Sequence, residues 1–155
     1  MSKRVFSLLA VALLVFSCSI PAVYASEYPS AEVTGTVFLP DGSYIVTFIT
    51  EENTYTSAFA ATQSISGSKT NAAYSAAGNF LFSITVHGTF SYDGRSAKAE
   101  SASYSYSCGS PAWSLVSGSA FCSGATATAT GTFTSAMETK TLSVSLTCSA
   151  NGTLS

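Results

Sequence analysis

The chain has a single histidine, His87, so general acid–base chemistry built on an imidazole has to start there. His87 falls on the polar face of an alternating stretch, and the hairpin derived below sets it across from Glu100 or Ser101. An imidazole held by a carboxylate is the minimum equipment of a general base. The plainer reading is an exposed cross-strand pair, contributing under about 1 kcal/mol, and it is preferred. No two glycines stand four residues apart, so there is no Gly-x-Ser-x-Gly elbow for a serine nucleophile. Nothing in the spacing puts a cysteine thiolate beside His87. Glu51 and Glu52 are adjacent and should point apart in a turn, and Asp41 and Asp93 read as turn residues, so the paired carboxylates of a glycosidase are missing. A zinc site would need more histidines or a different cysteine spacing. The Glu51-Glu52-Asn53 turn lacks the regular oxygen ligands of a calcium loop. The expectation is a non-enzyme without cofactor or metal, with hydrolysis through His87 as the least favoured alternative.

Binding chemistry is less constrained. Trp113, Tyr104 and Tyr106 are candidates for a sugar-stacking platform, although the strand register places both tyrosines on the core face, and a core role is preferred. Thr126, Thr128, Thr130, Thr132 and Thr134 alternate along one segment, beside Thr139, Thr141, Ser143, Ser145 and Thr147 on another. These regular rows resemble those of ice-binding proteins, and the Thr/Ala alternation resembles pore-forming β-hairpins. A neutral surface chosen for strand propensity explains the same pattern and is preferred.

Address and redox state follow from the ends of the chain. Lys3-Arg4 is a short positive region, Val5 to Phe16 is apolar, Pro21 breaks the run, and Val23 and Ala25 occupy the −3 and −1 positions of a cleavage site. Residues 1–25 therefore read as a signal peptide removed after Ala25, leaving 26–155 as a single secreted domain. The apolar run is too short for a comfortable membrane span, and no later one replaces it. Lipid anchoring through Cys18 is the rival reading. Cleavage leaves 8 acids against 4 bases (6 less Lys3 and Arg4), a net charge near −4, which argues against a nucleic-acid partner. It also leaves Cys108, Cys122 and Cys148, an odd number in a compartment that permits disulfides. One bridge among them, of undetermined connectivity, and three buried inert thiols are both open.

The elements that must position these residues are strands. Only 9% of residues are charged, so the polar surface is built from Ser, Thr and Asn. The central stretch, Asn79 to Cys108, places Phe80, Phe82, Ile84, Val86, Gly88, Phe90 and Tyr92 at every second position, the mark of a strand with one buried face. Asp93-Gly94 suits a type I′ turn. The return arm starts in phase with Ala97 and Ala99, then slips to Ala102, Tyr104, Tyr106 and Cys108. A one-residue bulge at Glu100-Ser101 restores the phase, pairing Val86 with Ala102, Ile84 with Tyr104, Phe82 with Tyr106 and Phe80 with Cys108. Strands are also expected at Glu32–Leu39, Tyr44–Thr50, Tyr55–Ala61, Trp113–Cys122, Ala125–Phe133 and through Leu142–Cys148, with a short return at Leu154. Ala127 and Ala129 opposite Leu and Val mark a place where another layer must come close. Thr62 to Gly78 shows no clear period and reads as an exposed loop with one helical turn at Ala72–Ala77. A connection of that length is the first candidate for variable recognition, although a plain solvated link is preferred.

About eight strands with short turns and almost no helix predict an all-β antiparallel sandwich, with a barrel as the alternative. From Gly88-Thr89-Phe90-Ser91-Tyr92-Asp93-Gly94 through Thr126-Ala127-Thr128 to Cys148-Ser149-Ala150-Asn151-Gly152-Thr153, the chain resembles small secreted Ser/Thr-rich proteins of Gram-positive bacteria. That resemblance implies no assigned activity and no site residue. The expected role is a non-catalytic extracellular or cell-surface binding module of unknown ligand, with a cell-surface or host protein or glycan as a candidate partner. The alternative is an effector acting on membranes through assembled β-hairpins.

Overall fold

The structure is a computed structural model that describes residues 31–55 and 62–155. The signal segment, its cleavage after Ala25, Cys18 and residues 56–61 lie outside the described residues. Eight strands follow one another: β1 (Glu32–Phe38), β2 (Tyr44–Tyr55), β3 (Gln63–Tyr74), β4 (Phe80–Tyr92), β5 (Ala97–Cys108), β6 (Ser114–Ser123), β7 (Thr126–Thr134) and β8 (Thr139–Thr147). They form two antiparallel sheets in chain order, β1-β2-β3-β4-β5 and β6-β7-β8. The sheets pack face to face as a sandwich and do not close into a barrel. No helix among the described residues is long and apolar enough to cross a membrane.

The core lies between β4 on one side and β7 and β8 on the other. Phe82, Ile84, Val86 and Phe90 of β4 are sealed from solvent, as are Ala127, Ala129 and Phe133 of β7 and Leu146 of β8. Phe82 stacks on Phe133 with 4.3 Å between ring centres and tilts against Trp113 at 4.6 Å. The sheets come closest where the inward residues are small. A methyl at Gly88 would stand 3.1 Å from Cβ of Ala127, and one at Gly131 would stand 2.9 Å from Ile84. The alanine row of β7 is thus the thin spot under a second layer.

The β4–β5 hairpin carries its bulge at Glu100, since Thr89 pairs with Ser101 and Phe90 with Ala99. Its turn is longer than expected. Tyr92 pairs with Ala97, and Asp93 to Ser96 form a four-residue loop with positive φ at Gly94 alone, so the type I′ expectation is corrected. Asp93 Oδ1 accepts from the backbone N–H of Arg95 and Ser96, which bends the chain through a side-chain cap instead of two positive-φ residues. The two added residues preserve which face each side chain takes but move every partner by one pair. Val86 now faces Tyr104, Ile84 faces Tyr106, and Phe82 faces Cys108.

Two further expectations fail on the other side of the sheet. Glu51-Glu52-Asn53 is not a turn: β2 runs through it with a bulge between Glu52 and Thr54. Thr62 to Gly78 is not a loop with a helical turn, because most of it is β3, the middle strand of its sheet, paired to both β2 and β4. Its outward Ser66 and Thr70 meet Thr89 and Thr85 hydroxyl to hydroxyl, at 3.1 and 2.7 Å. Its inward phase is Ile65, Gly67, Lys69, Asn71 and Ala73. Only the ends of that row are apolar, for a reason that lies in how the second sheet is placed.

Candidate functional site

The three-stranded sheet is narrower than its partner. β4 lies against β7 and β8, β5 against β6 and β7, and β3 against β8, while no described strand packs extensively over the inner face of β1 and β2. The sandwich is therefore partly covered along β5 and β6 and more open along β8. Pairing places Glu32, Gly35 and Val37 of β1, Ile45, Thr47, Ile49 and Glu51 of β2, and Lys69, Asn71 and Ala73 of β3 on that open inner face. They form the floor of a trough whose wall is the free side of β8 and the segment Thr153–Ser155.

Three contacts hold the trough in shape. Near its middle the Asn71 side chain donates to the Ser143 carbonyl at 2.7 Å and accepts from the Thr47 hydroxyl at 2.7 Å. At one end Lys140 of β8 pairs with Asp41 in the β1–β2 turn at 3.3 Å. At the other, Leu154 sits where a side chain at Gly67 would be, and that space exists because Gly67 has none. Between Asn71 and the Leu154 end the trough opens into a cleft of about 830 Å³, lined by Glu32, Gly35, Thr47, Ile49, Glu51 and Lys69 among others. A second hollow of about 460 Å³ lies between Asn71 and the Lys140 end, over Ile45, Ala73 and Leu81. Glu32, Glu51 and Lys69 make no ion pair with any described residue. Gly35 faces open space, and a methyl group added to it would meet no described atom within 4 Å.

The electrostatics are mild. Asp41 is lowered from its usual 3.8 to about 2, chiefly by the Ser43 hydroxyl and backbone N–H that donate to it and then by Lys140. Asp93 is lowered by the backbone N–H groups of Ser96 and Arg95. Both shifts belong to turns, so they report capping and not catalysis. Among the described residues no group of three or more His, Cys, Asp or Glu gathers.

The residues singled out by chemistry are scattered. His87 does not meet Glu100: its Nε2 lies 2.9 Å from Ser105 Oγ, on the outer face. Glu100 instead accepts from Ser91 Oγ at 2.7 Å and Lys98 Nζ at 3.0 Å, and these two, in that order, hold its carboxyl below the usual range. The longer turn is the cause, since it carries Glu100 two residues away from His87. The three described cysteines are free thiols, with Cys148 buried, Cys108 partly covered and Cys122 exposed. Burial pushes the thiols of Cys108 and Cys148 up, which makes them poor nucleophiles. Cys122 and Cys148 flank β7 on opposite sides, about 9–10 Å apart by strand spacing and beyond disulfide reach. Cys108 ends β5 beside Phe82, at the far end of the core from Cys122.

The aromatic platform does not form either. Trp113 is buried against Phe82. Tyr104 and Tyr106 lie on the inner face as expected but are 37% and 53% exposed, because edge strand β5 is only partly covered there. Tyr104 fills the space a side chain at Gly118 would need, and Tyr106 meets Phe133 edge-on at 6.4 Å. A different aromatic row crosses the outer face, where Phe38, Tyr44, Tyr74 and Phe80 follow one another at 5.2 to 5.7 Å. Tyr44 and Tyr74 turn their faces toward each other, so this row is cross-strand packing more than a platform. The hydroxyl rows of β7 and β8 pair on every rung, from Thr126–Thr147 at 3.0 Å to Thr134–Thr139 at 3.0 Å. Each hydroxyl there has a partner in the same sheet, which suits a self-contained neutral surface.

Sequence reasoning missed the trough. Glu32, Gly35, Lys69 and Asn71 are divided between β1 and β3, the second of which read as a loop. The only signal was a period of two through Ile65, Gly67, Lys69, Asn71 and Ala73, hidden by its polar members. Comparison of the chain with protein-family models, with characterised proteins and with solved structures finds no match.

Proposed function

We propose that this protein is a secreted, non-catalytic binding domain whose recognition surface is the trough between β1–β3 and β8. The observation that supports this is the unequal width of the two sheets, which leaves the inward side of β1 largely exposed and Ile45 and Thr47 of β2 half-buried, with Ile49 buried at the edge of the core. Inward-facing Ile45 and Ile49 adjoin Glu32, Glu51 and Lys69, charges with no ion-pair partner among the described residues. Apolar area combined with orienting polar groups is the usual make-up of a binding cleft. Secretion is inferred from the pattern of residues 1–25, and the extracellular setting fits a surface built from hydroxyls instead of charges.

The test is a binding screen of the wild type and Gly35→Phe against glycan and peptide arrays, since the added ring points into open trough space and leaves the core untouched. The expected result is a ligand whose affinity falls by about tenfold or more in Gly35→Phe, a loss of at least about 1.4 kcal/mol, and is unchanged in His87→Ala. Ligands that bind Gly35→Phe as well as wild type would place recognition elsewhere.

A further inference from the structure

Strand β8 is an edge of its sheet among the described residues, and most of its side away from β7 is unpaired by them. Thr147 exchanges both backbone hydrogen bonds with Ser155, at 3.0 and 2.9 Å, on the side away from β7. Cys148, the next residue, turns its N–H the opposite way, to Ala125 of the β7 side. Because direction alternates along an antiparallel strand, the N–H and C=O of Thr141, Ser143 and Ser145 also point away from β7. Of these groups only the Ser143 carbonyl has a partner among the described residues, the side chain of Asn71. The residues Thr153 to Ser155 thus lie along this edge where a fourth strand of the sheet would begin.

The vacant strand position lies over β2. Asn71 of β3 reaches Ser143 directly, so β8 stands above β3, and one strand spacing further, about 4.8 Å, lies above β2. Beneath it, at alternate positions, are Ile45, Thr47 and Ile49, with the bare backbone of Gly35 beside them. A strand seated there would pair its backbone with β8, turn every second side chain onto the two isoleucines and turn the others outward beside the Thr/Ser rows. Glu32 and Glu51 outnumber Lys69 at the open end, so the cleft keeps a net negative charge that favours a cationic residue there.

We propose that the trough accepts an extended polypeptide strand of alternating apolar and polar residues, added to the free edge of β8 and carrying a basic residue toward Glu32 and Glu51. This rests on the reading of the trough as the binding site. A saccharide or flat aromatic ligand could fill the cleft but would leave the row of edge N–H and C=O groups unanswered, whereas backbone pairing supplies both at the repeat of a strand. The incoming N–H takes the Ser143 carbonyl over from Asn71, which keeps its bond to Thr47. In the free protein Asn71 guards the edge against indiscriminate pairing, a usual need of exposed strand edges.

The experiment uses an acetylated heptapeptide of alternating valine and threonine with a lysine at one end, and a control of the same composition in non-alternating order. Amide hydrogen exchange is followed by NMR in the whole secreted chain. The alternating peptide is expected to slow exchange at Thr141, Ser143 and Ser145 by about tenfold or more, and the control is not. Two variants should abolish the effect independently: Gly35→Phe, which fills the trough, and Ser145→Pro, which removes an edge donor at a position where proline is tolerated. Unchanged exchange at these three amides, or protection that survives both variants, overturns the proposal. A ligand from the arrays that is sensitive to Gly35→Phe but indifferent to Ser145→Pro overturns strand addition while leaving the trough as the binding site. Self-association that is lost in Ser145→Pro, without any effect of peptide, assigns the edge to a second copy and likewise overturns it. If nothing tested is sensitive to Gly35→Phe, both readings fall.

Discussion

Asn71 and Asp41 show how single polar residues hold the open side of this sandwich. Asn71 read as part of an exposed loop, yet its amide spans two sheets, from Thr47 to Ser143. No local pattern announces such a role, because an asparagine in a turn and one bridging two strands look alike in sequence. Asp41 was legible as a turn residue, and its bonds to Ser43 confirm that, but its pairing with Lys140, 99 positions away, was not. Since its carboxyl is lowered to about 2 in the fold against 3.8 ordinarily, its contribution to stability is in place above about pH 4 and is lost as the pH falls through about 2. NMR titration should find Asp41 near the lower value. In Ser43→Ala the titration should move upward, because the largest cause of the lowering is gone. An unchanged midpoint would assign the shift to the Ser43 backbone N–H and Lys140 instead.

The element scale is where reading by alternation succeeded and where it broke down. The β4–β5 bulge was legible because alanine, tyrosine and cysteine switch phase at Glu100, and a strand can answer a phase switch only by bulging or by turning its apolar set to water. The turn length was not legible: Asp-Gly is compatible with two-residue and four-residue loops, and both leave the same residues facing the core. The difference decided His87, whose separation from Glu100 follows from two extra turn residues. Strand β3 was missed because period-two reading depends on one face being covered, and the middle of its inner face lines the trough. Deleting Glu100 should remove the need for the bulge, because Ala99, Ser101 and Ala102 then alternate unbroken opposite Phe90, Thr89 and Gly88 and every inward residue stays inward. The expected loss is under about 1 kcal/mol in urea unfolding. Glu100→Ser, which keeps the bulge and gives up only the exposed contacts to Lys98 and Ser91, should cost under about 1 kcal/mol.

At the scale of the whole molecule, the fold class was legible and the site was not. Strand count, short turns and inward apolar rows imply two packed sheets, but nothing local records that one sheet has five strands and the other three, and the trough is a product of that inequality. Stability should concentrate on the covered side. Phe82, clamped between Phe133 and Trp113, links both sheets, and Phe82→Ala should cost about 3–5 kcal/mol in urea unfolding. Chain order carries a different implication. No strand crosses from one sheet to the other: the first is complete at Cys108, the second starts at Ser114, and only Gly109 to Trp113 joins them. The sandwich is in effect a heterodimer written as one polypeptide. A nick between Gly109 and Ala112 would leave two fragments, each with a whole sheet, so that the hydrophobic core becomes a bimolecular interface whose strength depends on concentration. By the same connectivity, two intact copies could trade their three-stranded sheets if the linker straightened, with every core contact kept but made between different molecules.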